Sequence, residues 1–155
     1  MMKKYCIEEF KDVIYIKHLY GPLFFGFTAH FLNLFKNLDE KIKVLIIRMD
    51  RVPHIDQTGL YAMEETLFDL NKKGLQVIII GLQSQPADML RSIDIIPDLI
   101  PEKQLFDNMD SGFFWLKKEL TKDSGSEFWI FRKQNFVSRH IRTNRHITPH
   151  KCNRI

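Results

Sequence analysis

Between an apolar run and a helically periodic segment lies a short stretch dense in reactive side chains: Asp50-Arg51-Val52-Pro53-His54-Ile55-Asp56-Gln57-Thr58-Gly59-Leu60. Thr58 falls in the first turn of the expected helix, where N–H groups without intrahelical partners and the positive dipole end stabilise a phosphate. Phosphorylation there would set about −1.5 to −2 charges beside Asp56 and reverse the local surface for a partner. The same residues also suit a plain helix entry, because Asp56 and Thr58 are capping types and Gly59 permits a tight approach. Spacing alone leaves both readings open. His54 and Asp56, two apart, superficially resemble acid/base machinery. No nucleophile with a base, Gly-rich phosphate loop or metal-spaced carboxylate set accompanies them, so His54 reads as a loop surface residue and the chain as a non-enzyme.

A second chemical segment closes the chain. Phe128-Trp129-Ile130-Phe131-Arg132-Lys133 leads to Arg139-His140-Ile141-Arg142 and then Arg145-His146. Cations interleaved with aromatic rings fit anionic lipid headgroups or nucleic acid, with Arg132, Lys133, Arg139, Arg142 and Arg145 as the contacts. The plain alternative is a solvated, disordered extension. His146, His150 and Cys152 offer three metal-ligand types, but their spacing is no recognised metal motif, and neither metal nor cofactor is expected.

The elements that must position these groups follow from periodicity. Val13 to about Leu19 reads as a β-branched strand ended by Gly21-Pro22. Phe31, Leu34, Phe35 and Leu38 recur at helical spacing after Thr28, a plausible N-cap. The rings of Phe24, Phe25 and Phe27 either pack between sheet and helix or contact a partner. Lys43–Asp50 and Gln76–Ile80 are continuous apolar runs, the pattern of parallel strands covered on both faces. Leu60, Met63, Leu67 and Leu70 form one stripe on a helix from about Gln57 to Lys73, with Gly74 suited to the position just past its end. Ser84 suits the cap of a short helix with Pro86 in its first turn. Leu99-Ile100, between Pro97 and Pro101, reads as an edge strand, and Met109, Phe113, Leu116 and Leu120 mark a closing helix. The order β-α-β-α-β-α-(β)-α predicts a small α/β sandwich with largely parallel strands. The reactive loop then lies at the carboxyl end of a central strand, where ligands gather in open α/β sheets.

Composition removes other classes. With 155 residues, 45% hydrophobic and 27% charged, the chain suits one globular domain. Its net +4 is unevenly placed. Residues 1–127 hold 16 Lys and Arg against 19 Asp and Glu, whereas residues 128–155 hold 7 Lys and Arg and no acid. A slightly acidic body argues against nucleic-acid binding by the folded domain. Cys6 and Cys152 lie near opposite ends, so no disulfide framework or C-x-x-C motif is present, which suits a reducing cytosol. No signal-peptide pattern opens the chain, and no apolar run approaches the ~18 residues of a membrane span.

The string Arg51 to Leu60, following an Ile-rich strand, resembles the signature loop of STAS domains, found in SulP-type anion transporters and anti-sigma-factor antagonists. Gly21-Pro22-Leu23-Phe24-Phe25 is similar to the SulP-type segment after the first long strand. Gly81-Leu82-Gln83-Ser84-Gln85-Pro86 with Met89-Leu90 is similar to the family's third-strand exit. Leu99-Ile100 through Leu105-Phe106 resembles its last strand and the approach to the closing helix. The resemblance runs over about residues 5 to 121. Val-Pro before Ile-Asp-x-Thr-Gly points to the transporter branch; antagonists more often carry Asp-Ser-Ser/Thr-Gly, from which Gln57 departs. Asp94 stands where the family usually has glycine.

This resemblance implies a sheet of four to five mostly parallel strands with flanking helices, and a non-catalytic regulatory domain on the cytoplasmic side of an anion transporter, at the inner face of the plasma membrane. Its partner would be the transmembrane domain or a regulatory protein. The expected organisation is a STAS domain over 1–121, a linker over 122–127 and a basic tail over 128–155. Thr58 is the candidate switch, Asp56, Gln57 and Gly59 form the switch loop, and His54, Ile55, Leu60 and Tyr61 form the expected interaction surface. One alternative is a soluble antagonist, dephosphorylated at Thr58 when it binds its kinase; another is a peripheral membrane or nucleic-acid module acting through the tail.

Overall fold

The structure, a computed structural model, describes residues 12–24, 26, 31, 33–35 and 38–122. Four strands, β1 (Ile14–Tyr20), β2 (Val44–Arg51), β3 (Gln76–Ile80) and β4 (Leu105–Phe106), form one sheet in that spatial order. Every neighbouring pair is parallel, with Ile16 beside Ile46, Ile46 beside Ile78, and Ile79 beside Leu105. Helices α1 (Gln57–Lys72), α2 (Ser84–Ser92) and α3 (Met109–Lys122) supply the layers.

Side chains alternate across each strand, so the continuous apolar runs divide between two cores. Leu45, Ile47, Met49, Val77 and Ile79 join Met63, Leu67 and Leu70 of α1 and Leu90 of α2 in the larger one. Val44, Ile46, Ile78 and Ile80 meet Leu116 of α3 on the opposite face. All of these are at most 2% exposed. Each such burial contributes roughly 1.5–3 kcal/mol, so the strand sequences commit both faces to the interior.

Helix ends follow their local chemistry. Past Lys73, Gly74 takes a positive φ of 81°. Its N–H bonds the Asn71 carbonyl and the Leu75 N–H bonds the Leu70 carbonyl, both at 3.0 Å, the two bonds of a Schellman stop. At α2 the cap is Gln83 and not Ser84, and its side chain makes no capping bond. The Gln83 carbonyl takes the Ala87 N–H instead, so the helix starts at Ser84. The Asn108 carboxamide accepts from the Ser111 N–H at 2.9 Å and fixes the entry to α3. The helix expected from Thr28 to Leu38 falls largely outside the described residues. Phe31, Asn33 and Leu34 are helical, and the Phe31 and Phe35 rings meet edge to face 5.2 Å apart.

Leu99-Ile100 is no edge strand: Ile95–Leu99 forms a wide π-type turn, closed by the Ile100 N–H on the Ile95 carbonyl. Ile95, Ile96, Leu99 and Ile100 cover the larger core, and Asn71 of α1 donates to the Leu99 carbonyl at 3.0 Å. Their apolar surface is used as a lid over the sheet face, and the edge pairing passes to Leu105–Phe106. Asp94 opens this turn in the left-handed region, φ 60°. The position thus keeps the conformation that glycine favours, and Asp is among the residues that tolerate it.

Candidate functional site

The β2–α1 loop leaves the carboxyl end of a central strand and is fixed from three sides. The first is its own cap: Asp56 is extended at φ −87° and its Oδ1 accepts the Gly59 N–H at 2.7 Å. The second is the segment after β1. Leu23 forms a parallel bridge with Ile55, donating to the His54 carbonyl at 3.0 Å and accepting from the Asp56 N–H at 3.1 Å. This crossing explains Gly59, because a Cβ there would lie 2.5 Å from the Leu23 carbonyl oxygen.

The third side comes from α2, thirty residues away. The Gln85 carboxamide clamps Ile55 at both backbone groups, its Oε1 accepting from the Ile55 N–H at 2.9 Å and its Nε2 donating to the Ile55 carbonyl at 3.0 Å. Gln83 donates to the Asp50 carbonyl at 3.3 Å. Nothing in sequence spacing marks Gln85 for this task; only the family-like string around it hinted that the segment matters.

Around this frame sits an exposed aromatic collar. Tyr20 is 58% exposed, Phe24 46% and Tyr61 51%. Tyr20 stacks on His18 and carries the Arg51 guanidinium 5.4 Å from its ring centre. Phe24 lies 6.4 Å from the His54 ring, and Gln57 donates to the Tyr61 hydroxyl at 3.2 Å. Exposed rings grouped on one end of a monomer mark an interaction surface more often than chance scatter does.

The predicted residues separate accordingly. His54 and Tyr61 lie on the surface, and Thr58 is partly buried at the second helical position. Ile55 and Leu60, expected on the interaction surface, are 0% and 2% exposed. Ile55 is pinned inward by Leu23 and Gln85, and Leu60 begins the apolar stripe of α1. Their side chains support the surface from beneath. Tyr20 was not singled out by spacing, since its exposure depends on how β1 ends against Arg51. Asp56 already takes the Gly59 N–H, so a phosphate on Thr58 would meet a carboxylate at the helix entry. The tail contacts Arg132, Lys133, Arg139, Arg142 and Arg145, and the trio His146, His150 and Cys152, lie outside the described residues. Among the described residues, no three His, Cys, Asp or Glu side chains gather to hold a metal ion.

A four-stranded parallel sheet with a capped, clamped loop at the end of its second strand defines a small α/β domain of STAS type. Residues 6–112 match the family model described as STAS domain, and the chain belongs to that family. A sulfate transporter family protein from Wolinella succinogenes superimposes with a TM-score of 0.63 at 30% identity, covering 70% of this chain and 88% of that one. The SulP transporter STAS domain from Vibrio cholerae gives 0.62 at 25% identity, over 73% and 87%. The Putative sulfate transporter YvdB of Bacillus subtilis is 29% identical over 91 residues, 58% of this chain and 17% of that protein. The chain thus spans about a sixth of the length of that curated relative.

Proposed function

We propose that this chain is the regulatory STAS portion of a SulP-type anion transporter, non-catalytic, on the cytoplasmic side of the membrane, and that it acts by binding. The supporting observation is the collar of Tyr20, Phe24 and Tyr61 around a loop held by Asp56, Leu23 and Gln85. A rigid frame that presents exposed rings is built for docking, because little ordering entropy remains to be lost on contact. The docked surface is the transmembrane domain or a regulatory protein seated on it. The resemblance to transporter STAS domains supports the first of these.

The native gene gives the first test. Membrane-spanning helices in the same frame upstream support the proposal; a reading frame that starts at Met1 and stops at Ile155 counts against it. In the full-length protein, Phe24→Ser with Tyr61→Ser should lower sulfate uptake several-fold while the chain's melting temperature holds. Unchanged uptake would remove the collar from the mechanism.

A second reading rests on Thr58, at the second position of α1 beside the cap. A phosphate there would add charge at the rim of the collar and switch docking off by repulsion with Asp56. Incubation with candidate kinases and labelled ATP should mark Thr58. No incorporation, with normal partner binding by Thr58→Ala, excludes the switch.

A further inference from the structure

A groove of about 450 Å³ runs between the exposed side of α1 and the turn that opens at Asp94. Tyr61 and Phe68 line its α1 wall, and the carboxylates of Glu64, Glu65, Asp94 and Asp98 surround it. Among the described residues, none of these four carboxylates has a cation within ion-pair distance. Arg91 is bound to Glu102 by two hydrogen bonds of 3.1 and 3.2 Å, and Lys72, at the groove's own wall, lies 4.2 Å over one face of the Phe68 ring and pairs with none of the four carboxylates. Four negative charges beside two rings and an apolar floor make a surface suited to a peptide that carries cations and rings together.

The chain itself holds such a peptide. Residues 128–155 carry 7 Lys and Arg and no acid, with Phe128, Trp129, Phe131 and Phe136 among them. The tail follows α3, which packs on the opposite sheet face, so it must pass around the domain to arrive. Its length allows this. Lys133 lies 11 residues beyond Lys122, about 36 Å of extended chain. That compares with a radius of gyration of about 13 Å for a domain of some 100 residues. We propose that residues 128–155 dock in cis into the groove, their cations on Glu64, Glu65, Asp94 and Asp98 and their rings against Tyr61 and Phe68. The proposal stands apart from the transporter assignment, since it uses only this chain.

Carbodiimide cross-linking of the full chain, with peptide mapping, tests it directly. Lys133 or Lys151 should couple mainly to Glu64, Glu65, Asp94 and Asp98, and the yield should fall several-fold in 0.5 M NaCl as the screening length shortens to about 4 Å, half its physiological value. Coupling spread evenly over the body's acids, or confined to acids outside the groove, overturns the proposal. A mixture of isotopically light and heavy chains separates the arrangements: products joining unlike chains would overturn docking in cis. In the variant E64Q/E65Q/D94N/D98N, trypsin should cut after Arg132 and Lys133 several-fold faster at low salt. Its binding to phosphatidylserine vesicles should rise as the tail is released. Equal cutting and equal vesicle binding in the two proteins, with melting temperatures matched, also overturn it. Should the variant fail to fold, the cross-link map of the unsubstituted chain decides.

Discussion

Gly59 and Gly112 are both helical glycines, yet their neighbours make opposite demands. A Cβ at Gly59 would strike the Leu23 carbonyl oxygen at 2.5 Å, a backbone atom that also accepts the Asp56 N–H. At Gly112 the nearest atom is the tip of the Ile80 side chain at 3.1 Å, a side-chain end that need give by only a few tenths of an ångström. Ala favours a helix over Gly by about 1 kcal/mol, so propensity alone predicts that both substitutions stabilise. We expect Gly112→Ala to be near neutral and Gly59→Ala to destabilise by about 1–3 kcal/mol through overpacking, read from urea midpoints. Equal midpoints for the two would refute the close crossing of Leu23 and α1. The residue types of this loop were legible as a helix entry from the sequence, and Asp56 caps as its type suggests. The clamp by Gln85 was not, because a carboxamide that bonds a backbone thirty residues earlier leaves no local pattern.

Among the elements, the turn at Ile95–Leu99 shows where periodicity misleads. Leu99-Ile100 has strand composition, but the prolines on either side and the left-handed Asp94 bend the chain over the sheet face. Asp94→Gly should leave stability within about 1 kcal/mol, since glycine enters that backbone region freely. Asp94→Val should lose about 1–2 kcal/mol, because a β-branched side chain clashes there. Thermal unfolding of the two variants checks the sign; a Val variant as stable as Gly would mean the turn is not held left-handed. The exposed ion pair of Arg91 with Glu102, whose hydrogen bond and charge raise the guanidinium's pKa above its ordinary value, joins α2 to the segment after this turn. Exposed pairs of this kind contribute little to stability.

For the whole molecule, the parallel sheet separates two cores that adjacent residues serve. Ile46 faces α3 and Ile47 faces α1, each fully buried. Ile46→Ala and Ile47→Ala should each cost about 2–5 kcal/mol. The two side chains enter different clusters on opposite faces, so the double variant should come close to the sum of the two. Strong non-additivity in urea unfolding would show that the sheet transmits strain between its faces. The sequence by itself determined the order of strands and helices, the two-sided burial of the central strands and the separation of acidic body from basic tail. Those properties are carried by residue type and spacing within a few positions. Only the tertiary structure decided that Ile55 and Leu60 turn inward, that Tyr20, Phe24 and Tyr61 ring one loop, and that four carboxylates line one groove. Each depends on segments far apart in the chain meeting in space, and solvent exposure is a property of that meeting, not of any residue alone.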